Sequence, residues 1–259
     1  MRIAAGIEYD GSHFYGWQIQ NGVRTVQEQV ERALSRVANH RLGVVCAGRT
    51  DTGVHATQQV IHFQTQARRS ERSWVLGANA HLPPEVCVTW AYPVDEGFHA
   101  RFSALSRHYR YVILNRWVRP ALLRGRVTWS HAVLDADRMQ AAGRLFVGEQ
   151  DFSSFRALAC QAKSPVRRVY DVAVGREGAF LYIDVHANGF LHHMVRNMAG
   201  VMMSIGRGEH PVEWVTQLLQ LRDRSHGGVT APAEGLYLVG VDYPREFGLP
   251  GAPIRPRFG

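Results

Sequence analysis

The sequence predicts an α+β fold in which two similar α/β units form a shared, mainly antiparallel sheet flanked by helices. Alternation typical of strands and apolar stripes typical of helices occur in similar proportion in both halves of the chain. The 259 residues are enough for one large domain or for two of ordinary size. We expect an N-terminal unit over residues 1–104, a C-terminal unit over 105–245, and an irregular tail rich in Pro, Gly and Arg over 246–259.

The predicted N-terminal unit begins with a strand, because apolar side chains alternate with other residues as far as a turn sequence at Asp10-Gly11-Ser12. A capping box from Thr25 to Glu28 predicts the start of a helix. The apolar stripe of that helix consists of Val26, Val30, Leu34 and Val37. The remaining patterns predict strands over 44–46, 60–63 and 86–92 and a helix over 74–80.

The predicted C-terminal unit has the same mixture of elements. Two strands over 168–174 and 180–186 are expected to form a hairpin about Gly178. A long apolar stripe from Phe190 to Ile205 predicts a buried helix, and Pro211 predicts the first turn of another. The other predicted elements are strands over 109–114 and 236–241 and a helix over 137–147.

The composition is that of a globular chain with an excess of arginine. Charged residues make up 20% and apolar residues 46%, which excludes wholesale disorder. All but one of the 30 basic residues are Arg, the exception being Lys163, and 22 acidic residues leave a net charge of +8. The guanidinium fork suits phosphates and base edges, so this excess favours a nucleic-acid partner. A GC-rich genome produces the same bias without functional meaning.

The sequence also predicts a cytoplasmic protein. Cys46, Cys87 and Cys160 are odd in number and far apart, which is typical of a reducing compartment and argues against a disulfide framework or a cysteine zinc site. Glu8 and Asp10 interrupt any apolar core of a signal peptide. The longest stretch without a charged residue contains Gln, His and Thr, so we expect no membrane span.

The segment from Ala47 to Ala56, with the sequence AGRTDTGVHA, carries the strongest sign of chemistry. Two glycines bracket an arginine and an aspartate among small residues, which allow a ligand to approach the backbone closely. In an extended backbone, Arg49 and Asp51 point to the same face. A neighbouring guanidinium favours the ionised form of a carboxylate, which a nucleophile needs. As a lone pair, the two residues favour an ordinary salt bridge in a tight turn.

Asp51-Thr52-Gly53 is also the tripeptide of aspartic proteases. Such a protease needs two carboxylates that share a proton, from a second copy of the motif or from a symmetric dimer. The tripeptide occurs once in this chain, and Arg49 and Thr50 before it are polar where a buried strand is expected. The helical patterns also exceed those of an all-β protease. The sequence therefore disfavours this alternative.

The ten residues resemble the A-G-R-T-D-x-G-V-H-A signature of the tRNA pseudouridine synthase A family. The resemblance extends over essentially the whole chain, in the order of the family and nearly at its spacing. The other segments that carry it are 7–12, 15–18, 98–103, 109–111, 152–156, 192–197 and 234–238. The family pattern leaves position 52 variable, so Thr52 is compatible with it.

The resemblance implies an enzyme that isomerises uridine to pseudouridine in the anticodon stem-loop of tRNA, at tRNA positions 38, 39 and 40. Such an isomerisation gains and loses no atom, so the resemblance implies neither a cofactor nor a metal. The implied partner is tRNA, and the implied assembly is a homodimer. By match to the signature, Asp51 is the catalytic carboxylate. Three roles stay open for it: attack on the sugar C1′, addition to uracil C6, or removal of a sugar proton.

Three further residues receive substrate-binding roles from the resemblance. Tyr109 matches the active-site tyrosine, which is expected to stack on the flipped uracil. Arg49 is expected to pair with Asp51 and to occupy the space that the target vacates. Leu236 matches an apolar residue that lines the pocket. Without the resemblance, Tyr109 is a half-buried strand aromatic and Leu236 a plain core leucine.

The remaining candidates are weaker. As a group, five arginines are candidates for contact with RNA phosphates: Arg101, Arg107, Arg110, Arg167 and Arg168. His192 and His193 lack zinc spacing and are predicted to be satisfied on a helix face. His55 is either a general base near Asp51 or a locally bonded loop residue. The alternative function is a non-catalytic RNA-binding module, in which Asp51 is structural.

Overall fold

The computed structural model describes residues 1–158 and 160–258 of the chain. These residues form two compact units. Unit 1 contains residues 1–105 and 237–256, and unit 2 contains residues 106–236 together with the last residues of the chain. Within the described ranges, no helix combines the length and the apolar character needed to cross a bilayer.

Strands are numbered in chain order, and those of unit 1 form one mainly antiparallel sheet. Their bounds are β1 Arg2–Tyr9, β2 Val45–Cys46, β3 His55–Gln64, β4 Val86–Val94 and β10 Leu236–Asp242. β1 lies between β4 and β3 and is antiparallel to both, and β2 is antiparallel to β3. Tyr237 and Leu238 of β10 pair in parallel with His55 and Ala56 of β3. From Tyr237 onwards, the last strand therefore groups with unit 1, although the sequence analysis placed it in the C-terminal unit.

The helices of unit 1 are α1 Val26–Ala38 and α2 Glu71–Asn79. α2 begins three residues before the predicted start, because Ser70 caps it by accepting a hydrogen bond from the amide of Ser73.

The start of α1 differs from the capping box that the sequence predicts. Thr25 is the N-cap residue, but its side chain makes no capping bond, and its buried hydroxyl has no partner among the described residues. The carbonyls of Gly16 and Trp17 accept the amides of Val26 and Gln27 instead, at 3.2 and 3.0 Å. The capping-box prediction is wrong because backbone groups from an earlier segment satisfy these helix amides.

The strands of unit 2 are also mainly antiparallel to one another. Their bounds are β5 Ser106–Asn115, β6 Thr128–Ser130, β7 Gly148–Asp151, β8 Val166–Glu177 and β9 Phe180–Ala187. The order is β5-β9-β8-β7 with antiparallel neighbours, and β6 is parallel to β5. The hairpin of β8 and β9 about Gly178, which has a φ of +55°, confirms its prediction. β6 and β7 are three and four residues long and were not predicted.

The helices of unit 2 are α3 Ala136–Arg144, α4 Met194–Gly206 and α5 Trp214–Leu221. α4 does not include Phe190, because His193 at its N-cap is left-handed with a φ of +63°. α5 begins at Trp214 after the N-cap residue Glu213, so Pro211 lies before the helix and not in its first turn.

Each unit has its own apolar core. In unit 1 the fully buried rings include Phe63, which meets Trp74 of α2 at 5.1 Å between centroids. In unit 2, Phe146, Phe152 and Phe155 are all 0% exposed, and the rings of Phe146 and Phe155 meet edge to face at 5.1 Å. Aromatic burial of this kind contributes much of the stability of small α+β units.

Candidate active site

Asp51 lies in a loop of unit 1, residues 47–54, that joins β2 to β3. This Asp51 loop has no regular secondary structure, and it ends in a turn at Thr52 and Gly53. Gly53 has a φ of +79°, a conformation that favours glycine. Because the loop is not a strand, strand alternation does not fix the relative directions of Arg49 and Asp51. Asp51 is partly buried, whereas Arg49 is exposed.

The first part of the Asp51 loop is held by β3. The Gln59 amide group donates to the Gly48 carbonyl at 2.5 Å, and its oxygen accepts from the Gly48 amide at 3.4 Å. The amide of Ala47 donates to the carbonyl of Val60 at 2.8 Å. Gln59 is completely buried, so its side chain is committed to the backbone of the loop.

The middle of the loop is held by residues at and after the end of β1. The Tyr9 hydroxyl lies 2.8 Å from the Thr50 hydroxyl, and both side chains are buried. The amide of Trp17 donates to the Thr50 carbonyl at 3.0 Å, and the amide of Gly53 donates to the Phe14 carbonyl at 3.4 Å. The residue directly before Asp51 is therefore fixed through both its backbone and its side chain.

His55 is the first residue of β3, and it is bonded to a distant segment of the chain and not within a loop of its own. It is 2% exposed, its Nδ1 accepts from the Gly11 amide at 3.0 Å, and its ring stacks on Tyr237 at 4.5 Å. Asp10 lies 3.3 Å from the same nitrogen. A hydrogen bond with His55 has the largest effect on the pKa of Asp10 and holds it below its usual range. Hydrogen bonds with Ser12 lower this pKa further, and partial burial opposes them. Asp10 also accepts from the Ser12 amide, which confirms its predicted turn role.

The pair of Arg49 with Asp51 that the resemblance implies stays a prediction. The Arg49 charge acts on Cys46: burial raises the pKa of the Cys46 thiol to about 12, and the Arg49 charge opposes that rise. Cys46 is therefore protonated at neutral pH and is not a nucleophile here.

Tyr109 and Leu236 lie at buried positions of unit 2. Tyr109 is on β5 opposite Val185 of β9, is 8% exposed, and meets Phe190 edge to face at 5.0 Å. Leu236 is the first residue of β10 and is 6% exposed. Positions of this kind are compatible with a pocket wall and with an ordinary core.

Two of the five candidate arginines, Arg107 and Arg167, have their side chains together in unit 2, near Asn188 and Gly189. Arg107 donates to the Asn188 carbonyl at 3.1 Å, and the Arg168 amide donates to the Asn188 side chain at 3.0 Å. The Arg167 side chain lies 3.6 Å from where a Cβ on Gly189 would stand. Burial lowers the pKa of Arg167, and the nearby charge of Arg107 lowers it further. We call Arg107 and Arg167 the arginine cluster; its like charges favour an anion.

The other two candidates have different surroundings. Arg110 is 7% exposed and binds both carboxylate oxygens of Asp184, at 2.8 and 2.7 Å. Its guanidinium also lies over the Tyr182 ring, 4.5 Å from the centroid. Arg101 belongs to unit 1, is exposed, and lies 5.5 Å from the ring of Phe102. The structure therefore commits Arg110 to an internal ion pair, while Arg101 lies at the surface.

The structure contradicts the prediction for the two adjacent histidines and confirms the prediction for the helix that follows them. His192 and His193 form the turn before α4 and are not on a helix face, so that expectation is wrong. The left-handed conformation of His193 ends the possibility of a helix through them. The prediction of a buried helix is confirmed, and four methionines are among the buried residues of α4: Met194, Met198, Met202 and Met203.

The sequence reasoning missed the residues that hold the Asp51 loop. Gly16, Trp17 and Gln59 act on the loop from other segments, and no local pattern reports such contacts. The segment 15–18, which contains Gly16 and Trp17, carries part of the family resemblance, but the sequence assigns these residues no role. Asn188 was also missed, because its contacts come from other segments.

Unit 1 carries an aspartate on a glycine-rich loop with a fixed backbone, and unit 2 carries a cluster of arginines. The family model described as tRNA pseudouridine synthase matches residues 5–103 and 142–244. The chain belongs to this family, which is a family of isomerases.

Curated relatives named tRNA pseudouridine synthase A are similar over nearly the whole chain. One from Nitrosococcus oceani is 61% identical over 250 residues, covering 96% of this chain and 96% of its own length. One from Aeromonas hydrophila is 56% identical over 256 residues, covering 99% and 95%. A solved structure of an archaeal box H/ACA sRNP Nop10-Cbf5 complex aligns with 78% of this chain and 44% of that chain. Its TM-score of 0.35 and identity of 13% are too low to support an argument.

Proposed function

We propose that this chain isomerises uridine to pseudouridine in the anticodon stem-loop of tRNA, at tRNA positions 38, 39 and 40, with Asp51 as the catalytic carboxylate. Family membership supports the reaction. The observation that carries the role of Asp51 is its loop: hydrogen bonds from β3 and from the segment after β1 fix the backbone on both sides of this one aspartate. A fixed backbone lets a carboxylate meet its target in one geometry.

The chemistry balances without any added reactant. The N1–C1′ glycosidic bond of uridine breaks, and a C5–C1′ bond forms on the same sugar. The hydrogen on C5 leaves as a proton, and N1 gains a proton, so the product has the composition of the substrate. The target uridine must leave the base stack first, and this unstacking costs roughly a few kcal/mol of free energy.

Three further residues have proposed roles toward the substrate. Tyr109 stacks on the flipped uracil, and Leu236 provides an apolar wall; their burial at 8% and 6% supports roles that exclude water. Arg49 occupies the space that the target leaves. Its exposure supports a role toward RNA, where the guanidinium fork has phosphates and base edges to bind.

The arginine cluster supplies the proposed grip on the RNA backbone. Arg107 and Arg167 carry like charges close together, and an RNA phosphate relieves their repulsion. Arg168 has an exposed, long ion pair with Glu149 at 3.7 Å, which is weak enough for phosphate to replace. Arg101 is the proposed contact from unit 1.

Release of tritium from tRNA that carries [5-³H]uridine tests the proposal, because isomerisation expels the C5 hydrogen. We expect the unaltered protein to release tritium and Asp51→Asn to release none while it still binds tRNA. Asp95→Asn is the matched control: it makes the same change at an exposed loop carboxylate of unit 1 and is expected to leave the rate unchanged. Release by Asp51→Asn at the normal rate contradicts the role of Asp51.

The same experiment separates the alternative functions. Binding of tRNA without any release supports a non-catalytic RNA-binding module. Cleavage of a peptide library that is lost in Asp51→Asn supports the aspartic protease. Either result contradicts the proposed isomerisation.

The proposed enzyme acts as a homodimer in the cytoplasm, where tRNA is its partner. Exposed apolar side chains in one segment of unit 2, Trp117 at 87% and Leu122 at 93%, offer surface for association. Sedimentation at the assay concentration tests the assembly: a dimer is expected, and a monomer contradicts it.

A further inference from the structure

We propose that Gly16, together with the backbone of Phe14 and Trp17, is a positioning element that sets where Asp51 stands. The inference rests on the proposed role of Asp51 as the catalytic carboxylate. None of these three residues is assigned contact with substrate. They act on the backbone that carries Asp51, so they are positioning residues and not catalytic residues.

The contact of Gly16 with the Asp51 loop leaves no room for a side chain. A Cβ on Gly16 would stand 2.7 Å from the Thr50 carbonyl oxygen, 3.1 Å from the carbonyl carbon of Asp51 and 3.1 Å from the amide nitrogen of Thr52. All three atoms belong to the backbone, which cannot rotate away as the end of a long side chain can. Gly16 also has a φ of +80°, which favours glycine. The peptides on both sides of Asp51 therefore rest directly against Gly16.

Hydrogen bonds fix the same segment to the loop. The Trp17 amide donates to the Thr50 carbonyl at 3.0 Å, and the Phe14 carbonyl accepts from the Gly53 amide at 3.4 Å. These two bonds lie on either side of Asp51 in the sequence. A displacement of the segment is thus passed to the peptides that determine the direction of the Asp51 side chain.

The segment is itself anchored elsewhere in unit 1. Its two carbonyls at Gly16 and Trp17 accept the first amides of α1, and the rings of Phe14 and Trp17 are each 1% exposed. A movement of Gly16 would break the cap of α1 and expose buried rings. A methyl group added at position 16 is therefore expected to displace the Asp51 loop and not the segment that carries Gly16. A displacement of about 1 Å at a reacting group lowers the rate roughly 100-fold.

Gly22 provides a matched control. It has a φ of +77°, almost that of Gly16, but a Cβ there would meet no atom within 4 Å. Gly16→Ala and Gly22→Ala therefore introduce the same side chain at the same kind of strained backbone. They differ in the contact with the Asp51 loop.

The test compares these two variants in single-turnover tritium release and in tRNA binding. We expect Gly16→Ala to lower the rate of the chemical step by roughly 10- to 100-fold, with the dissociation constant for tRNA within about threefold of normal. Gly22→Ala is expected to stay within about twofold in both. Equal rates for the two variants contradict the proposal, and so does a loss in Gly16→Ala that lies wholly in tRNA binding.

Tyr9→Phe keeps the test decisive if Gly16→Ala fails to fold. It removes one hydroxyl from the bond with Thr50 and leaves the ring in place. We expect a rate loss of roughly 2- to 10-fold with unchanged tRNA binding, since one buried hydrogen bond contributes about 1 kcal/mol. An unchanged rate contradicts positioning through Thr50.

Asp51→Asn in the same assay separates the two proposals. If Asp51→Asn is active, the role of Asp51 fails. If Asp51→Asn is inactive while Gly16→Ala and Tyr9→Phe react at the normal rate, only the positioning element fails.

Discussion

Asp51 in unit 1 and Asp184 in unit 2 are held in two different ways. Asp184 on β9 lies opposite Arg110 on β5, and the guanidinium binds both of its oxygens, at 2.8 and 2.7 Å. Asp51 lies on an irregular loop that is fixed through its backbone, by Gln59 and Trp17 before it and by Phe14 after it.

This difference distinguishes Asp184, a structural carboxylate, from Asp51, the proposed reactive carboxylate. A carboxylate bound by a buried guanidinium group stabilises the strands that carry the pair, and both of its oxygens take part in that pair. The backbone of Asp51 is held by hydrogen bonds that other segments make to the residues before and after it, so its position does not depend on the partners of its side chain alone.

The largest expected effect is that Asp51→Asn changes the reaction rate, whereas Asp184→Asn changes the stability. Asp51→Asn should lower the isomerisation rate by about 1,000-fold or more, because the reacting group is lost, with little change in melting temperature. Asp184→Asn should keep the rate within a few-fold but lower the free energy of unfolding by about 1–3 kcal/mol, because Arg110 loses a charged partner. Rate assays and thermal melts on both variants check this. A rate loss in Asp184→Asn as large as that in Asp51→Asn would remove the distinction.

The next effect measures the pair itself. Arg110→Met should destabilise the protein by about 2 kcal/mol, a value reduced from that of a fully buried pair because the Asp184 side chain is 23% exposed. A double-mutant cycle with Asp184→Asn, measured by denaturant unfolding, should give a coupling energy of about 1–2 kcal/mol. Additive effects of the two substitutions would show that the pair contributes nothing to stability.

Acid should weaken unit 1 through His62, which lies on the strand that follows the Asp51 loop. Burial lowers the pKa of His62 to about 4, helped by the charges of His99 and Arg2, and its Nδ1 accepts from the Ala100 amide at 3.1 Å. The unfolded chain therefore binds a proton near pH 6.5 that the folded chain refuses until about pH 4.

Stability should thus be full above pH 6.5 and fall as the pH drops from there to about 4, with a loss of about 1–2 kcal/mol by pH 5. Denaturant unfolding at pH 7 and pH 5 measures it. His62→Gln retains an acceptor for the Ala100 amide without a titrating ring, so its stability should change less over this range. An equal loss in His62→Gln would assign the effect to other groups.

The smallest expected effect concerns the arginines. Arg167→Ala should weaken tRNA binding by roughly three- to tenfold. It should also make the plot of the logarithm of the binding constant against the logarithm of the salt concentration less steep by about 0.7–0.9, which is the contribution of one phosphate contact. Arg144→Ala, at an exposed arginine of α3 in the same unit, should change neither. Equal effects of the two substitutions would show that net charge, and not the arginine cluster, controls binding.

The sequence predicted those parts of the molecule that local patterns determine. Alternation and apolar stripes correctly placed β1, α1 and the hairpin about Gly178, since each depends on residues close in the chain. β6 and β7 were not predicted, because strands of three and four residues are too short to show an alternating pattern. The helix start at Phe190 was wrong because the left-handed backbone of His193 interrupts an otherwise helical apolar pattern.

In the candidate site, too, some residues could be predicted from the sequence and others could not. Asp51 stood out because its neighbours are small and the signature around it is continuous. Its supports did not stand out, because Gly16 and Gln59 act from distant positions in the chain. The capping box at Thr25 failed for the same reason, since the segment that caps α1 is also the one that rests on the Asp51 loop. Contacts between distant segments leave no period in a sequence.

The central claim is that this chain reacts through a carboxylate whose position is set by the backbone of the Asp51 loop. The most direct measurement is the single-turnover rate of tritium release by Asp51→Glu, which keeps the carboxylate and moves it by one methylene group. The account predicts a loss of about 100-fold or more, with tRNA affinity and melting temperature unchanged. A rate close to that of the unaltered protein would contradict it.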